Sequence, residues 1–337
     1  MAYEIRFILK ATINKKLDHN RAEFVNKPVN SSWRIGLVGF SYPEWEKTLY
    51  ARRANTRMAP KSRENHRLAT YAMHFNAVEI NTTFYGIPSI DTVRSWADVT
   101  PADFRFCVKV PREVTHGPTP PGALAAAGGP PPGHLLHDRT ITTARRFVET
   151  IRPLGGKLGA VLAQFPPKFA ADRRDELMAF VDRLGGAAPL AVELRHPAWL
   201  TAETGAALRD RGVCWAGTDE SPRHEVEKAS DAKTGDKHEL RPIMPTADFL
   251  YIRWLGRHGQ FRDRSKEHFD PSSRLRWWAE HLREILDRNP RVRTVYGFFD
   301  NDFAGHAPAT ARRFKEILGL PVSESSMRER EGPTLFG

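Results

Sequence analysis

Two short segments carry carboxylates beside polar or cationic partners at strand spacing. In AVEINTTFY (77–85) Glu79 and Asn81 are two residues apart, and in LAVELR (190–195) so are Glu193 and Arg195. In extended chain, side chains two apart share a face. Each pair then points one way while Val78 and Ile80, or Val192 and Leu194, point the other. FRFCVKV (104–110) adds Lys109 near its C-terminal end, and FLYIRW (249–254) adds Arg253. A carboxylate tuned by burial or a neighbour can act as general acid or base, with Lys109, Arg195 or Arg253 opposing developing negative charge. Two carboxylates at the right separation also suit glycosidic cleavage. A structural ion-pair lattice accounts for the same five side chains equally well, since buried charges must be paired whether or not they do chemistry.

Other polar groups follow similar segments: His116 in VPREVTH, Gln164 in LAQF, His196 and Trp199 in RHPAW, Asp219 after GVCWAG, and Asn301 with Asp302 after YGFF. The expected catalytic set is Glu79, Lys109, His116, Glu193, Arg195 and Asp219. Aromatic rings that can stack on a flat ring, sugar or base come from Tyr42, Trp45, Phe84, Tyr85 and Trp199. With Asn81, Gln164, Arg253 and Asn301 they form the expected ligand-binding set. No metal site is assigned and no cofactor is expected. Glu79, His116, Glu193 and Asp219 offer oxygen and nitrogen donors without a compact spacing such as H-E-x-x-H, so a divalent metal is the minor alternative.

These residues must be positioned by the elements that carry them. Eight β-rich runs recur at 34–39, 77–82, 104–110, 158–165, 190–195, 212–217, 249–254 and 292–299. Helical stripes lie between them, such as Leu177, Phe180, Val181 and Leu184, or Leu275, Trp278, Ala279, Leu282 and Leu286. Eight strands alternating with helices predict an α/β protein folded as a single (β/α)₈ TIM-type barrel, whose sites assemble at the strand C-termini. An open doubly wound sheet is the competitor, but GFSYPEW follows the first strand where a glycine-rich phosphate turn would be needed. Residues 1–33 read as an N-terminal extension, 34–320 as the barrel, 321–337 as a polar tail, and 111–140 and 218–247 as long loops.

Composition bounds the rest. The chain has 337 residues, 40% of them hydrophobic, two cysteines and a formal charge of +11, which excludes a small disulfide-stapled scaffold. The positive excess favours anionic partners, either a small molecule or nucleic acid, without choosing between them. Cys107 and Cys214 sit in apolar runs and read as buried thiols. With no apolar run of signal or membrane-span length, the expectation is a cytoplasmic protein with no membrane partner.

Taken together, VGFSYPEW (38–45), VEINTTFYGIP (78–88), FRFCVKVPREVTH (104–116), LAQFPPKF (162–169), VELRHPAW (192–199), DFLYIRWLG (248–256) and FFDNDFAGHAPATA (298–311) resemble the domain-of-unknown-function family 72, the YecE-like family. The resemblance covers about Arg34 to Leu320 and implies a TIM-type barrel with a polar cavity at its mouth. It assigns no reaction. Distant likeness of the barrel to endonuclease-type and sugar-isomerase-type barrels makes phosphodiester chemistry on nucleic acid an analogy and no more. The family's arginine followed closely by histidine-glycine reads here RWLGRHG, and its doubled asparagine reads FFDND, so His258 and Asp300 depart from the pattern.

Overall fold

The structure, a computed structural model, describes residues 31–50, 58–117, 130–184, 186–220 and 243–322. The expected extension (apart from 31–33), the tail beyond 322 and most of the 218–247 loop lie outside the described residues.

The β-rich runs form nine strands: β1 (Ser32–Val38), β2 (Ala77–Ile80), β3 (Arg105–Lys109), β4 (Leu158–Gln164), β5 (Leu190–Glu193), β6 (Cys214–Trp215), β7 (Gly217–Asp219), β8 (Phe249–Trp254) and β9 (Thr294–Phe299). All pair in parallel in the order β6-β5-β4-β3-β2-β1-β9-β8-β7. The strand expected at 212–217 is split. β6 pairs with β5 while β7 pairs with β8, and Ala216 alone joins them. The two ends of the sheet are therefore one short stretch of chain, which closes the barrel. Eight α-helices among the described residues surround it: α1 (Pro60–Ala72), α2 (Ile90–Asp98), α3 (Arg112–His116), α4 (Asp138–Ile151), α5 (Arg174–Leu184), α6 (Ala202–Asp210), α7 (Ser272–Arg288) and α8 (Ala307–Leu318). Within the expected 111–140 loop the described residues form α3 and the start of α4, and 118–129 lie outside the described residues.

The period of two divides the apolar residues into two clusters. Outward side chains such as Ile35, Val78, Phe106, Val192 and Trp254 meet helical stripes such as Leu177, Phe180, Leu275, Trp278 and Phe314. Inward side chains form a separate cluster with a marked asymmetry: Ala77, Cys107, Ala160, Ala191, Cys214 and Ala216 are small, and Phe249, Tyr251, Tyr296 and Phe298 are large. Aromatics from β8 and β9 cross the interior and fill the space left by alanine and cysteine opposite, so the barrel is packed rather than hollow. Gly159 belongs to the same fit, since a Cβ there would stand 2.9 Å from the Tyr296 ring.

One glycine fixes the first strand pair. Tyr71 of α1 reaches under β1, where its hydroxyl donates to Ala77 O and accepts from Leu37 N, both at 2.8 Å. A Cβ on Gly36 would lie 1.8 Å from Ala77 O and 2.9 Å from that hydroxyl. Gly36→Ala must push β1 from β2 or expel Tyr71, and an overpacking cost of about 1–3 kcal/mol in urea unfolding is expected. An unchanged midpoint would contradict this close approach.

Candidate functional site

The inward columns change character at the strand C-termini. Continuing each column by two residues leads from Ala77 to Glu79, from Cys107 to Lys109, from Leu162 to Gln164, from Ala191 to Glu193, from Tyr251 to Arg253 and from Phe298 to Asp300. Six polar side chains thus stand on one packed apolar layer.

Arg253 organises them. Its Nε donates to Glu79 Oε2 at 2.9 Å and its Nη2 to Glu79 Oε1 at 2.8 Å, a two-armed pair. Its Nη1 reaches across the barrel to Glu193 Oε2 at 2.6 Å. Tyr251 donates to Glu79 Oε2 at 2.8 Å, and Gln164 Nε2 to Glu193 Oε1 at 2.7 Å. Both carboxylates are fully buried. For Glu193 burial pushes the pKa up, but Arg253, then Arg195, Gln164 and Lys109, outweigh it and hold it at about 2. Glu193 is therefore ionised throughout the neutral range and is not a resting general acid.

Lys109 is placed differently. It is 7% exposed, and its Nζ sits 4.0 Å from the centroid of the Phe84 ring. No carboxylate lies within ion-pair reach of it among the described residues. Burial, then Arg253, with Arg195 adding to them, lowers its pKa to about 8 against the opposing pull of Glu79 and Glu193. His116, at the end of α3, stands edge-on to the same Phe84 ring with centroids 5.2 Å apart. Burial, then Arg112, Lys109 and Arg195, lowers it to about 4, so it is neutral at physiological pH.

Next to Arg253 is a cavity of about 280 Å³ lined by Arg195, Glu220, Arg253, Asp300, Asp302 and the Leu255–His258 loop. Arg195 pairs with Glu220 at 3.0 Å and approaches Glu193 at 3.7 Å. The loop is strapped down by Asp302, which accepts from Gly259 N at 2.8 Å and from Arg264 at 3.1 Å. Gly256 permits the contact: its φ is +65°, and a Cβ there would stand 2.1 Å from Asp302 O. Burial pushes the Asp300 carboxyl above the usual carboxylate range, and Tyr42 beside it is pushed up as well, first by burial and then by Asp300. A larger cavity, about 610 Å³, opens at the strand N-termini, but Arg211 there is already committed to Asp182 at 2.7 and 3.0 Å.

The structure brings Glu79, Lys109, Glu193, Arg195, Gln164 and Arg253 together, with Phe84, His116 and Tyr42 around them. It separates others. Asp219 stands in register with outward Trp254 and takes hydrogen bonds from Arg274 Nε and Trp278 Nε1 of α7, each at 2.8 Å. It anchors a helix and does not face the mouth. Trp45 and Trp199 are buried: the first donates to Asn301 Oδ1 at 3.1 Å, the second to Phe169 O at 2.6 Å while stacking on the Phe169 ring. Asn301 also accepts from Ala307 N at 3.0 Å and so holds the start of α8. Tyr85 is 84% exposed. Asn81 and Arg195 lie beyond the ends of their strands, where alternation no longer fixes the face; Asn81 opens a 3-10 turn, its buried Oδ1 without a hydrogen-bond partner among the described residues. Asp300 was missed, although the parity of Tyr296 and Phe298 points to it rather than to Asn301. The suggested metal donors do not converge, because Asp219 faces α7 and Glu79 and Glu193 are tied to Arg253. Among the described residues no group of three His, Cys, Asp or Glu side chains is placed to hold a metal ion, and no helix is long and apolar enough to cross a membrane.

The family described as "Protein of unknown function DUF72" matches residues 34–333. The chain belongs to the DUF72 family. UPF0759 protein YecE of Escherichia coli K12 is 31% identical over 232 residues, 66% of this chain and 73% of that protein. UPF0759 protein YunF of Bacillus subtilis is 24% identical over 291 residues, covering 80% and 93%. A crystal structure of a DUF72 family protein from Enterococcus faecalis superposes with a TM-score of 0.60 at 22% identity over 86% of this chain and 96% of that one, which speaks for the fold alone. One from Thermotoga maritima gives 0.59 at 25% identity over 86% and 99%. In this DUF72 chain the Arg253 hub and Lys109 stand at the mouth of the barrel.

Proposed function

We propose that the mouth of this DUF72 barrel binds an anionic small molecule. The observation that carries the reading is Lys109, a buried ammonium with no carboxylate in ion-pair contact among the described residues, while the two neighbouring carboxylates are hydrogen-bonded to Arg253. Glu79 and Glu193 act on the ammonium only from beyond ion-pair distance, so an anion in direct contact with it gains more there than at a solvated surface lysine. Arg195, Arg253 and Arg257 line the adjacent cavity together with Glu220, Asp300 and Asp302, so a ligand there meets guanidinium groups whose charge is partly offset by carboxylates. A cavity of about 280 Å³ suits a small metabolite. Burial of Trp45 and Trp199 removes two of the rings a single-stranded nucleic acid would stack on, which weighs against a polymeric ligand.

Inorganic phosphate is a sufficient probe. Calorimetric titration at low ionic strength is expected to give saturable binding. Bound anion favours protonated Lys109, so affinity falls as pH rises through about 8. Binding that never saturates, or that ignores this pH window, would overturn the reading.

A further inference from the structure

Permanent anion binding does not need this lysine to be built as it is. An arginine, or a lysine with a carboxylate beside it, holds its charge more securely. At the end of β3 the opposite has been arranged: the side chain is largely buried, its amine lies against the Phe84 ring, and among the described residues no carboxylate reaches it within ion-pair distance. The groups facing it are Arg253 and Arg195, which favour the neutral amine, Glu79 and Glu193, which oppose that but are tied to Arg253, and neutral His116 across the Phe84 ring. Desolvation together with neighbouring cations is the setting in which a lysine becomes a nucleophile at neutral pH.

We propose that Lys109 forms an imine with an aldehyde or ketone that carries an anionic group, the anionic group lying toward Arg195 and Arg253. The proposal rests on the anion-binding reading above and adds the carbonyl. The lone pair of the neutral Nζ attacks the carbonyl carbon, and the C=O π pair moves to oxygen. One proton passes from nitrogen to that oxygen, giving a carbinolamine. The hydroxyl then takes up a proton and leaves as water while the nitrogen pair forms C=N, and the resulting iminium carries the single positive charge that the ammonium carried before. The charge balance with Glu79 and Glu193 is therefore unchanged between the free and the bonded lysine. Because Lys109 titrates near 8, about one molecule in ten holds the neutral amine at pH 7, far more than for a surface lysine titrating near 10.4.

Reductive trapping tests this. The full-length protein is treated at pH 7 with glyoxylate, an aldehyde bearing a carboxylate, and with borohydride, which delivers hydride to the imine carbon while water supplies the proton to nitrogen. Peptide mapping is expected to find the carboxymethyl group on Lys109 at least tenfold above any other lysine, suppressed by inorganic phosphate and absent from Lys109→Arg and Lys109→Met proteins whose circular dichroism is unchanged. Formaldehyde, which has no anionic group, separates the amine from the pocket. If formaldehyde labels Lys109 preferentially and glyoxylate does not, the anionic carbonyl class is overturned. If neither labels Lys109 faster than exposed lysines while phosphate still binds, the imine fails and the anion pocket stands. If phosphate does not bind either, both readings fail.

Discussion

Replacing Arg253 by methionine is expected to cost about 3–5 kcal/mol of stability in urea unfolding, the range for removing one partner of a buried ion pair. The guanidinium makes three hydrogen bonds of 2.6–2.9 Å to two carboxylates that have no access to water. Without it, among the described residues, the Glu79 carboxylate keeps Tyr251, and Glu193 keeps Gln164 and the longer approach of Arg195. The pH dependence gives a second check. Glu193 is held at about 2 in the native protein, below its ordinary 4.5, so its share of stability is present above about 4.5 and is lost as pH falls toward 2. In Arg253→Met, Glu193 loses the largest of the favourable charges that hold its pKa down, and the difference between variant and native protein narrows as pH falls. Adding Glu79→Gln and Glu193→Gln to the variant removes the stranded charges and is expected to recover part of the loss. Arg253→Lys keeps the charge but not the two-armed grip, and should fall between. A loss below about 1 kcal/mol would mean that the network contributes little to the fold.

Lys109→Met is expected to do the reverse, making the unliganded protein more stable while weakening phosphate binding at least tenfold. The native lysine titrates at about 8 instead of 10.5, which corresponds to about 3 kcal/mol opposing folding below pH 8. That penalty is fully present below pH 8 and disappears as pH rises from 8 to 10.5, because over that range the unfolded chain binds the extra proton. Methionine keeps the aliphatic stem and removes the charge. After allowing for the lost contact with the Phe84 ring, a net gain of about 1–2 kcal/mol at pH 7 is expected. A residue that opposes folding and supports binding is retained for what it binds. If Lys109→Met were destabilised with phosphate binding intact, the lysine would be a packing element.

Much of this was legible in the sequence because a barrel strand alternates strictly. Glu79 and Glu193 follow from period-two spacing and Lys109 and Arg253 from their places near strand C-termini, and the structure places all four on the inward columns. The same rule, carried one step further, would have found Asp300 from Phe298 and turned Asp219 outward from Cys214. Both were judged instead by their place after a strand, which does not decide the side of the wall. Asn81 and Arg195 show the opposite limit, since alternation stops where the strand stops, and β2 ends one residue before Asn81 and β5 two before Arg195. The aromatics failed for a simpler reason. Trp45 and Trp199 follow strands as a ligand platform would, but their indole N–H groups find partners inside the protein, at Asn301 and Phe169. Only three-dimensional packing could show that these partners lie within reach. Nor could any spacing reveal that Arg253 would take both carboxylates and leave Lys109 without one.

The titration of Lys109 itself tests the account most directly. With lysine labelled at Cε, carbon NMR followed across pH 6–11 reads this amine apart from the rest. A midpoint at about 8 is expected in the free protein, moving upward when inorganic phosphate is added. A midpoint near the ordinary 10.4, unmoved by phosphate, would contradict it.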